Sequence, residues 1–312
     1  MEKIKIIFAG TPEISTPLLH SLAEDERFDV CLVITQQDKP AGRKMELTAP
    51  PAKKTAMELS LDIFQPENIN SPDSAEIIKS KECDIMLVIA YGQIFKEEVL
   101  NAPKKGCLNV HASLLPKYRG ASPIQCAIGN RENKTGISLM EMSAKMDAGD
   151  VYSQFEIQIE DDDNAITLES KLAHLSAHRI PDALYSVLKE GAKPTPQDES
   201  KATYCHKIIK SDGLIDWNEE VEKIEARIRS LVGWPGTYTF FNGKNLKIIE
   251  ARLKLDEIEE SPGTVFMYKN DVAIAGKNGV ILPSHVQIEG KKIQSINDFI
   301  NGNPDFINSK LG

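Results

Sequence analysis

The sequence predicts an α/β fold, with a Rossmann-like, mostly parallel sheet in an N-terminal domain and a small OB-like β-barrel in a C-terminal domain. Three observations lead to this prediction. In the first half of the chain, short apolar runs alternate with amphipathic stretches, which is typical of βαβ units. Residues 189–206 are rich in Pro, Lys and acidic residues and lack apolar periodicity, as in an interdomain linker. Beyond them, short strand-like runs recur at even spacing between Gly and Asn turns.

The first domain begins with an apolar strand over residues 3–9, which Gly10-Thr11-Pro12 closes. A helix is predicted from about residue 15 to 25, and helical periodicity recurs over residues 75–80 and 167–188. Further strands are predicted at residues 30–35, 85–90, 108–111, 136–142 and 151–159. Parallel sheets bind ligands beyond the carboxyl ends of their strands, so the segments that follow strands are the candidate ligand-binding segments.

The predicted domain boundaries are 1–188 for a catalytic domain, 189–206 for the linker and 207–312 for the barrel. In the barrel region a helix is predicted over residues 221–231. Strands are predicted at residues 236–241, 246–255, 263–268, 271–275 and 279–286. Residues 207–312 carry 14 basic and 15 acidic side chains, so this domain is nearly neutral, with a formal charge of −1.

Composition narrows the class of protein. The chain has 312 residues, of which 41% are hydrophobic and 27% are charged, as in soluble globular proteins. Its formal net charge of −9 argues against nucleic-acid binding through bulk charge, although a local basic patch is compatible with it. The longest apolar run is too short for a membrane helix, and the first residues do not read as a signal peptide. Five scattered cysteines without a C-x-x-C pair predict reduced thiols in the cytoplasm, with neither a disulfide framework nor a zinc site.

The densest group of polar residues at a predicted strand end lies at residues 109–120. Alternation along a strand places Asn109 and His111 on the same side. An amide beside an imidazole suits acyl transfer, because Asn can stabilise an oxyanion and His can exchange a proton near neutral pH. On these two residues alone, a polar strand end with a satisfied His is an equally good interpretation. Asp147, in a Gly-containing turn, is by itself a turn former and gains significance only beside the other two.

Residues 36–55 form a longer connection than is usual between a strand and a helix. They make a local basic island in an acidic domain, and both a solvated loop and a phosphate-binding loop fit this pattern. The basic residues are Lys39, Arg43, Lys44, Lys53 and Lys54, against the acidic residues Asp38 and Glu46.

The chain resembles the folate-dependent formyltransferase superfamily in four motifs: N-x-H at 109–111, SLLP at 113–116, TG at 135–136 and D-x-G at 147–149. The resemblance extends over essentially the whole chain. It implies an enzyme that transfers a formyl group from 10-formyltetrahydrofolate to an amine without a metal. It further implies that Asn109 and His111 stabilise the oxyanion, that His111 helps proton transfer to the leaving nitrogen, and that Asp147 orients His111 and a water.

The resemblance also implies a folate site in the two segments that follow strands, with the pterin held largely through backbone contacts. The implied residues are Ile89, Ala90, Tyr91, Gly92, Ser113, Leu114, Leu115 and Pro116. For the side chain of Tyr91, a strand that leaves the sheet through a Gly turn is an equally good interpretation.

The QDKPAGR loop at 37–43 and the KIIKSDGLIDW stretch at 207–217 are similar to the branch of the superfamily whose acceptor is the methionyl group of initiator tRNA. The implied tRNA contacts are Lys39, Arg43, Lys44, Lys207 and Lys210. The sequence departs from the common pattern after Arg43, where a further Gly is frequent, which leaves the conformation of the loop open. Trp217 and Trp234 are interpreted as core residues, and we expect a monomer.

Other functions fit the sequence less well. A sugar-nucleotide amine as acceptor would share Asn109, His111 and Asp147 but has no use for the basic loop. Relatives that pass the formyl group to water or oxidise it are less well matched by the second domain. A non-catalytic RNA-binding module built on an OB-like barrel does not account for the intact polar set. A nucleotide-binding dehydrogenase is excluded because the turn at residues 9–13 lacks the G-x-G-x-x-G pattern.

Overall fold

The computed structural model describes residues 2–42 and 45–312. The chain divides into two compact units. The first unit comprises Met1–Gly120, Lys134–Gln158 and Glu169–Cys205. The second comprises Ala121–Asn133, Ile159–Leu168 and His206–Gly312. The domain boundaries drawn from the sequence at residues 188 and 206 stay predictions.

The strands of the first unit are β1 (Ile4–Gly10), β2 (Phe28–Ile34), β3 (Lys39–Ala41), β4 (Glu46–Thr48), β5 (Ile63–Phe64), β6 (Ile85–Ile89), β7 (Cys107–His111), β8 (Arg119–Gly120), β9 (Lys134–Glu141), β10 (Val151–Gln158) and β11 (Tyr204–Cys205). The α-helices of the chain are α1 (Thr16–Glu24), α2 (Pro51–Glu58), α3 (Pro72–Ser80), α4 (Glu97–Leu100), α5 (Pro123–Gly129), α6 (Ala165–Tyr185), α7 (Val221–Ser230) and α8 (Ile296–Gly302). The strands predicted at residues 85–90 and 108–111 are thus confirmed as β6 and β7.

A seven-stranded sheet with the order β10-β9-β7-β6-β1-β2-β5 forms the centre of the first unit. Five strands of this sheet, β5, β2, β1, β6 and β7, are parallel to one another. Strands β9 and β10 are antiparallel to their neighbours. This confirms the α/β fold with a mostly parallel sheet. All of β6 is buried, and so is β1 except for Lys5, because a parallel sheet is covered on both faces. The direction in which successive strands are added to the sheet reverses between β1 and β6. Parallel sheets bind ligands beyond the carboxyl ends of the strands at such a point.

The second unit contains a separate antiparallel sheet with the order β12-β13-β16-β15-β14. Its strands are β12 (Thr237–Phe241), β13 (Lys244–Leu255), β14 (Val265–Tyr268), β15 (Asp271–Ala275), β16 (Gly279–Ile288) and β17 (Gln294–Ser295), the last paired with β16. One face of α7 packs with this sheet in a core that includes Trp217. The interpretation of Trp234 as a core residue was wrong, because its side chain is 61% exposed. In the part of the chain that the structure describes, no helix is long and apolar enough to cross a membrane.

Candidate active site

His111 ends β7 and is buried. Its Nε2 lies 2.8 Å from the carbonyl oxygen of Tyr118. A carbonyl oxygen can only accept a hydrogen bond, so Nε2 must carry a proton and donate it. Nδ1 is therefore the ring nitrogen that is left to gain or lose a proton during a reaction.

The Asp147 carboxylate faces that nitrogen. Its Oδ2 lies 3.8 Å from His111 Nδ1, and the same oxygen accepts a hydrogen bond of 2.8 Å from the backbone N–H of Gly120. The separation from Nδ1 is too long for a hydrogen bond, but it allows a charge interaction whenever the imidazole is protonated. The structure therefore brings His111 and Asp147 together, and the backbone of Gly120 orients the carboxylate.

Two glycines allow the residues around Asp147 to pack closely against neighbouring backbone. A Cβ on Gly149 would lie 2.0 Å from the carbonyl oxygen of Glu141, so only glycine fits in the turn after Asp147. Gly120 has φ +109°, and a Cβ there would lie 2.3 Å from the carbonyl oxygen of Cys205. The D-x-G spacing in the sequence thus has a steric cause, namely the close contact of the turn with β9.

Asn109 lies in β7, two residues before His111, and is half-buried. Its backbone pairs with Val88 on one side and Met140 on the other, which places it in the interior of the sheet. No hydrogen bond joins its side-chain amide to any of the residues that the structure describes. The amide is therefore a free donor on the strand that carries His111.

The SLLP segment is held by residues that the sequence did not single out. Ser138 Oγ donates to the carbonyl oxygen of Ser113 at 2.6 Å and accepts from the N–H of Leu115 at 3.1 Å. The side-chain amide of Gln154 donates to the carbonyl oxygen of Leu115 at 2.9 Å. Ser113 Oγ donates to the carbonyl oxygen of Lys117 at 2.6 Å. The loop is thus shaped by internal bonds, and β9 and β10 supply its supports.

In the segment after β6, the aromatic side chain is buried, whereas the residues on either side of it are exposed. Tyr91 is 2% exposed and packs edge-on against Phe95 at a centroid distance of 5.5 Å. Burial raises the pKa of Tyr91 to about 12, and its hydroxyl has no partner among the described residues. Ala90 and Gly92 are exposed, with φ of +48° and +94°. Of the two interpretations of Tyr91, the structure therefore supports a core side chain with an exposed backbone beside it.

A buried arginine next to the site was missed in the sequence. Arg119 is 1% exposed, and its guanidinium donates to Gln197, Glu199 and Tyr204. The ion pair with Glu199 raises the pKa of Arg119 and lowers the pKa of Glu199. Three residues from the segment read as a linker therefore contact the segment that follows β7. Since they lie about 80 positions away, no local pattern could have indicated them.

The basic loop after β2 contains a short hairpin formed by β3 and β4. Lys39 is exposed, whereas Lys53 Nζ contacts both oxygens of Asp38 at 2.8 Å. Hydrogen bonds from Gln65 and Lys53 lower the pKa of Asp38. Lys53 is thus neutralised. Among the other residues predicted to contact tRNA, Lys207 and Lys210 are exposed in the second unit, and Arg43 and Lys44 lie outside the described residues.

The structure offers no candidate metal site: within residues 2–42 and 45–312, no three His, Cys, Asp or Glu side chains are grouped so that they could hold an ion.

Comparison with known proteins assigns the family. The model of the formyl transferase family matches residues 2–184, and that of the formyl transferase C-terminal domain matches residues 207–304. The chain is 40% identical to methionyl-tRNA formyltransferase of Caldicellulosiruptor saccharolyticus over 95% of this chain and 96% of the relative. It is 39% identical to the enzyme of that name from Bacillus subtilis over 96% of this chain and 94% of the relative.

Three solved structures share the fold. Methionyl-tRNA formyltransferase from Clostridium thermocellum matches 91% of this chain and 98% of its own with a TM-score of 0.56 at 17% identity. An N-formyltransferase from Helicobacter canadensis matches 90% and 98% with a TM-score of 0.67 at 18% identity. HypX from Aquifex aeolicus matches 98% of this chain but only 48% of its own, with a TM-score of 0.65 at 18% identity. With family models over both parts of the sequence and relatives at 40% identity along its length, the chain belongs to the formyl transferase family.

Proposed function

We propose that this protein transfers the formyl group of 10-formyltetrahydrofolate to the free amino group of initiator methionyl-tRNA. The product is N-formylmethionyl-tRNA for translation initiation. The observation that carries the proposal is the contact between His111 Nδ1 and the Asp147 carboxylate at the end of β7. Relatives that are 40% identical over nearly the whole chain bear the name of this activity.

In this proposal, three side chains each have a task. The acceptor amine attacks the formyl carbon, a C–N bond forms to it, and the bond from that carbon to N10 of the folate breaks. The attacking amine loses a proton and N10 gains one, and His111 Nδ1 carries this proton. Asp147 stabilises the imidazolium while the proton is held, and the free amide of Asn109 donates to the oxyanion.

The folate site that we propose combines two segments beside these groups. It comprises Ile89, Ala90, Tyr91, Gly92, Ser113, Leu114, Leu115 and Pro116. Tyr91 takes part through its backbone, because its ring lies in the core. The exposed backbone at Ala90 and Gly92 is available for a ligand, and apolar side chains such as Leu114 would line the space for a flat ring. Two residues of the SLLP segment have bonds that fix its shape and would keep this site preformed.

We further propose that tRNA contacts the basic loop through Lys39, Arg43 and Lys44, and the second unit through Lys207 and Lys210. The exposed lysines among them supply charge for phosphate contacts, which position a nucleic acid without reading its sequence. Arg43 is the residue that we expect to discriminate initiator tRNA at its weakly paired acceptor end.

Three finer features belong to the same proposal. The second unit is proposed to close as an OB-like barrel, and the bulges in the long strand β13 favour such bending. Contacts between β12 and β14 in a nuclear Overhauser spectrum would test this.

The protein is proposed to be a monomer, since Asn109, His111 and Asp147 all come from one chain. A cytoplasmic location is proposed because the five scattered cysteines of the sequence fit a reducing compartment.

The decisive test offers one formyl donor to several acceptors. Formylation with 10-formyltetrahydrofolate is followed on initiator methionyl-tRNA, elongator methionyl-tRNA and an amino-sugar nucleotide. We expect rapid transfer to the initiator species alone. Transfer to the amino sugar and to neither tRNA would replace the proposal by formylation of a sugar nucleotide, the kind of molecule bound in the structure of the N-formyltransferase from Helicobacter canadensis, which is a complex with dTDP-3-aminofucose.

A further inference from the structure

We infer that Gln197, held by Arg119, is a positioning residue for the Asp147 carboxylate. The segment read as an interdomain linker would then complete the turn that carries this carboxylate. The inference rests on the proposed function, because that proposal assigns the role of Asp147. Nothing in the family patterns of the sequence pointed to position 197.

Gln197 spans the Asp147 turn with its side-chain amide. Its Nε2 donates to the carbonyl oxygen of Asp147 at 2.9 Å and to that of Gly149 at 2.7 Å. Its Oε1 accepts from Arg119 Nε at 3.0 Å and from Nη2 at 2.8 Å. Because a guanidinium has only donors, the amide oxygen must face Arg119 and the NH₂ group must face the turn. The orientation of Gln197 is thus determined by its partners.

Arg119 is itself held firmly. Its guanidinium makes two hydrogen bonds to the Glu199 carboxylate, at 2.8 and 3.1 Å, and one of 3.1 Å to the hydroxyl of Tyr204. Its backbone N–H donates to the carbonyl oxygen of Thr203 at 2.9 Å, and β8 pairs in parallel with β11. A two-pronged arginine–carboxylate contact has a fixed geometry, so Arg119 is a rigid platform for Gln197.

Three of these contacts, with the peptide link from Arg119 to Gly120, close a ring around the turn of Asp147. Arg119 holds Gln197, Gln197 holds the backbone of Asp147, and Asp147 accepts from the N–H of Gly120, the residue after Arg119. Asp147 has φ +50°, a left-handed conformation that non-glycine residues adopt infrequently and that neighbouring groups can hold in place. The hydrogen bonds from Gln197 and Gly120 hold Asp147 in this conformation. They therefore set the position of Oδ2 relative to His111 Nδ1.

The substitution Gln197→Glu separates this role from simple stability. A glutamate still accepts from Arg119, yet it has no N–H for the two carbonyl oxygens of the turn. We expect kcat for formyl transfer to fall by about tenfold or more, since small displacements of catalytic groups have large effects on rate. KM for the folate and for the tRNA should stay within about twofold, because neither ligand contacts Gln197 in the proposed site. Amide hydrogen exchange at residues 145–150 should accelerate.

Two further variants complete the design. Gln197→Met removes donor and acceptor at nearly constant size and should lose kcat in the same way, which protects the test if Gln197→Glu folds poorly. Asp198→Asn is the matched control: it removes the charge of the exposed residue next to Gln197, keeps an acceptor for the N–H of Ser200, and does not change the Arg119 platform. We expect its kcat to remain within about twofold of the unmodified chain.

The outcomes separate this inference from the proposed function. If both Gln197 variants keep kcat within about twofold while Asp147→Asn is inactive, the positioning role is overturned and the function stands. If Asp147→Asn is as active as the unmodified chain, the role of Asp147 fails and the inference fails with it. If the unmodified chain transfers no formyl group, hydrogen exchange still decides whether Gln197 holds the turn, and unchanged exchange in Gln197→Glu would refute that.

Discussion

Two regions of the first unit that follow strands of the same sheet are built in opposite ways. The segment proposed to be catalytic, residues 109–120 with the turn at 147–149 and named the catalytic segment below, contains the buried side chains of His111 and Arg119, which hydrogen-bond to other residues of the chain. The basic loop, residues 36–55, exposes Lys39, and its Asp38 accepts hydrogen bonds from Lys53 and Gln65.

The difference follows from what each region is proposed to do. Groups that stabilise developing charge act best when they are fixed before the substrate arrives, because no reorganisation is then needed during the reaction. Groups that contact phosphates act through charge and tolerate a range of geometries. We therefore expect changes in the catalytic segment to alter kcat or folding, and changes in the basic loop to alter tRNA affinity.

The largest effect is expected for His111→Asn. Removal of the imidazole eliminates the proton carrier, and kcat should fall by about 10²–10⁴-fold with little change in the KM for tRNA. Single-turnover formylation at saturating tRNA measures the loss, and circular dichroism verifies the fold. Near-normal turnover in a folded variant would remove His111 from the mechanism.

A pair of glycine substitutions contrasts the two regions directly. Gly120→Ala places a Cβ against the backbone of Cys205 at φ +109° and should reduce the free energy of unfolding by at least about 2 kcal/mol. Gly42→Ala, at φ +70° in the basic loop, meets no atom within 4 Å and should cost only about 1 kcal/mol for the backbone conformation. Urea unfolding of the two variants gives the comparison. Equal losses would contradict the view that only the catalytic segment is tightly packed.

Lys39→Ala should weaken tRNA binding without affecting chemistry. We expect the slope of log affinity against log salt concentration to decrease by about 1, because one phosphate contact is lost. Lys53→Gln is the matched control, since Asp38 already neutralises that lysine. Binding titrations at several salt concentrations provide the slopes, and an identical change in both variants would show that loop charge acts without regard to pairing.

Tyr91→Phe tests whether the buried hydroxyl of the residue after β6 contacts the folate. The substitution removes a buried hydroxyl that lacks a partner in the described part of the chain, so the variant should be as stable as the unmodified chain or more stable by about 1 kcal/mol. Its KM for the folate should be unchanged. Thermal unfolding and folate saturation curves measure both quantities, and a clear rise in KM would place the hydroxyl in the binding site.

The smallest effect concerns acid stability. Arg119 lowers the pKa of Glu199 from its usual 4.5, so the folded state binds this proton less readily than the unfolded state. The resulting stabilisation is present above pH 4.5 and is lost as the pH falls through the lowered pKa. Glu199→Gln should therefore show a flatter dependence of Tm on pH below 4.5 than the unmodified chain. Parallel curves would mean that the pair contributes nothing.

The sequence was informative where chemistry depends on local spacing. Alternation along β7 placed Asn109 and His111 on one side, and glycine spacing marked the turn of Asp147, although only the structure shows the carboxylate 3.8 Å from His111. It was uninformative where contacts join distant segments. The ion pair of Arg119 with Glu199 spans 80 positions and leaves no periodic signal. The exposure of Trp234 was missed for a related reason, since an aromatic residue in a turn carries no pattern that reveals its face.

The central claim is that the catalytic segment performs the chemistry and that the basic loop contributes to tRNA binding. It is tested most directly by single-turnover formylation of initiator methionyl-tRNA with the unmodified chain, His111→Asn, Lys39→Ala and the double variant. We predict that His111→Asn lowers only the maximal rate, that Lys39→Ala raises only the half-saturating tRNA concentration, and that the effects combine additively within about 0.5 kcal/mol. A strong loss of maximal rate in Lys39→Ala, or an unchanged rate in His111→Asn, would contradict the claim.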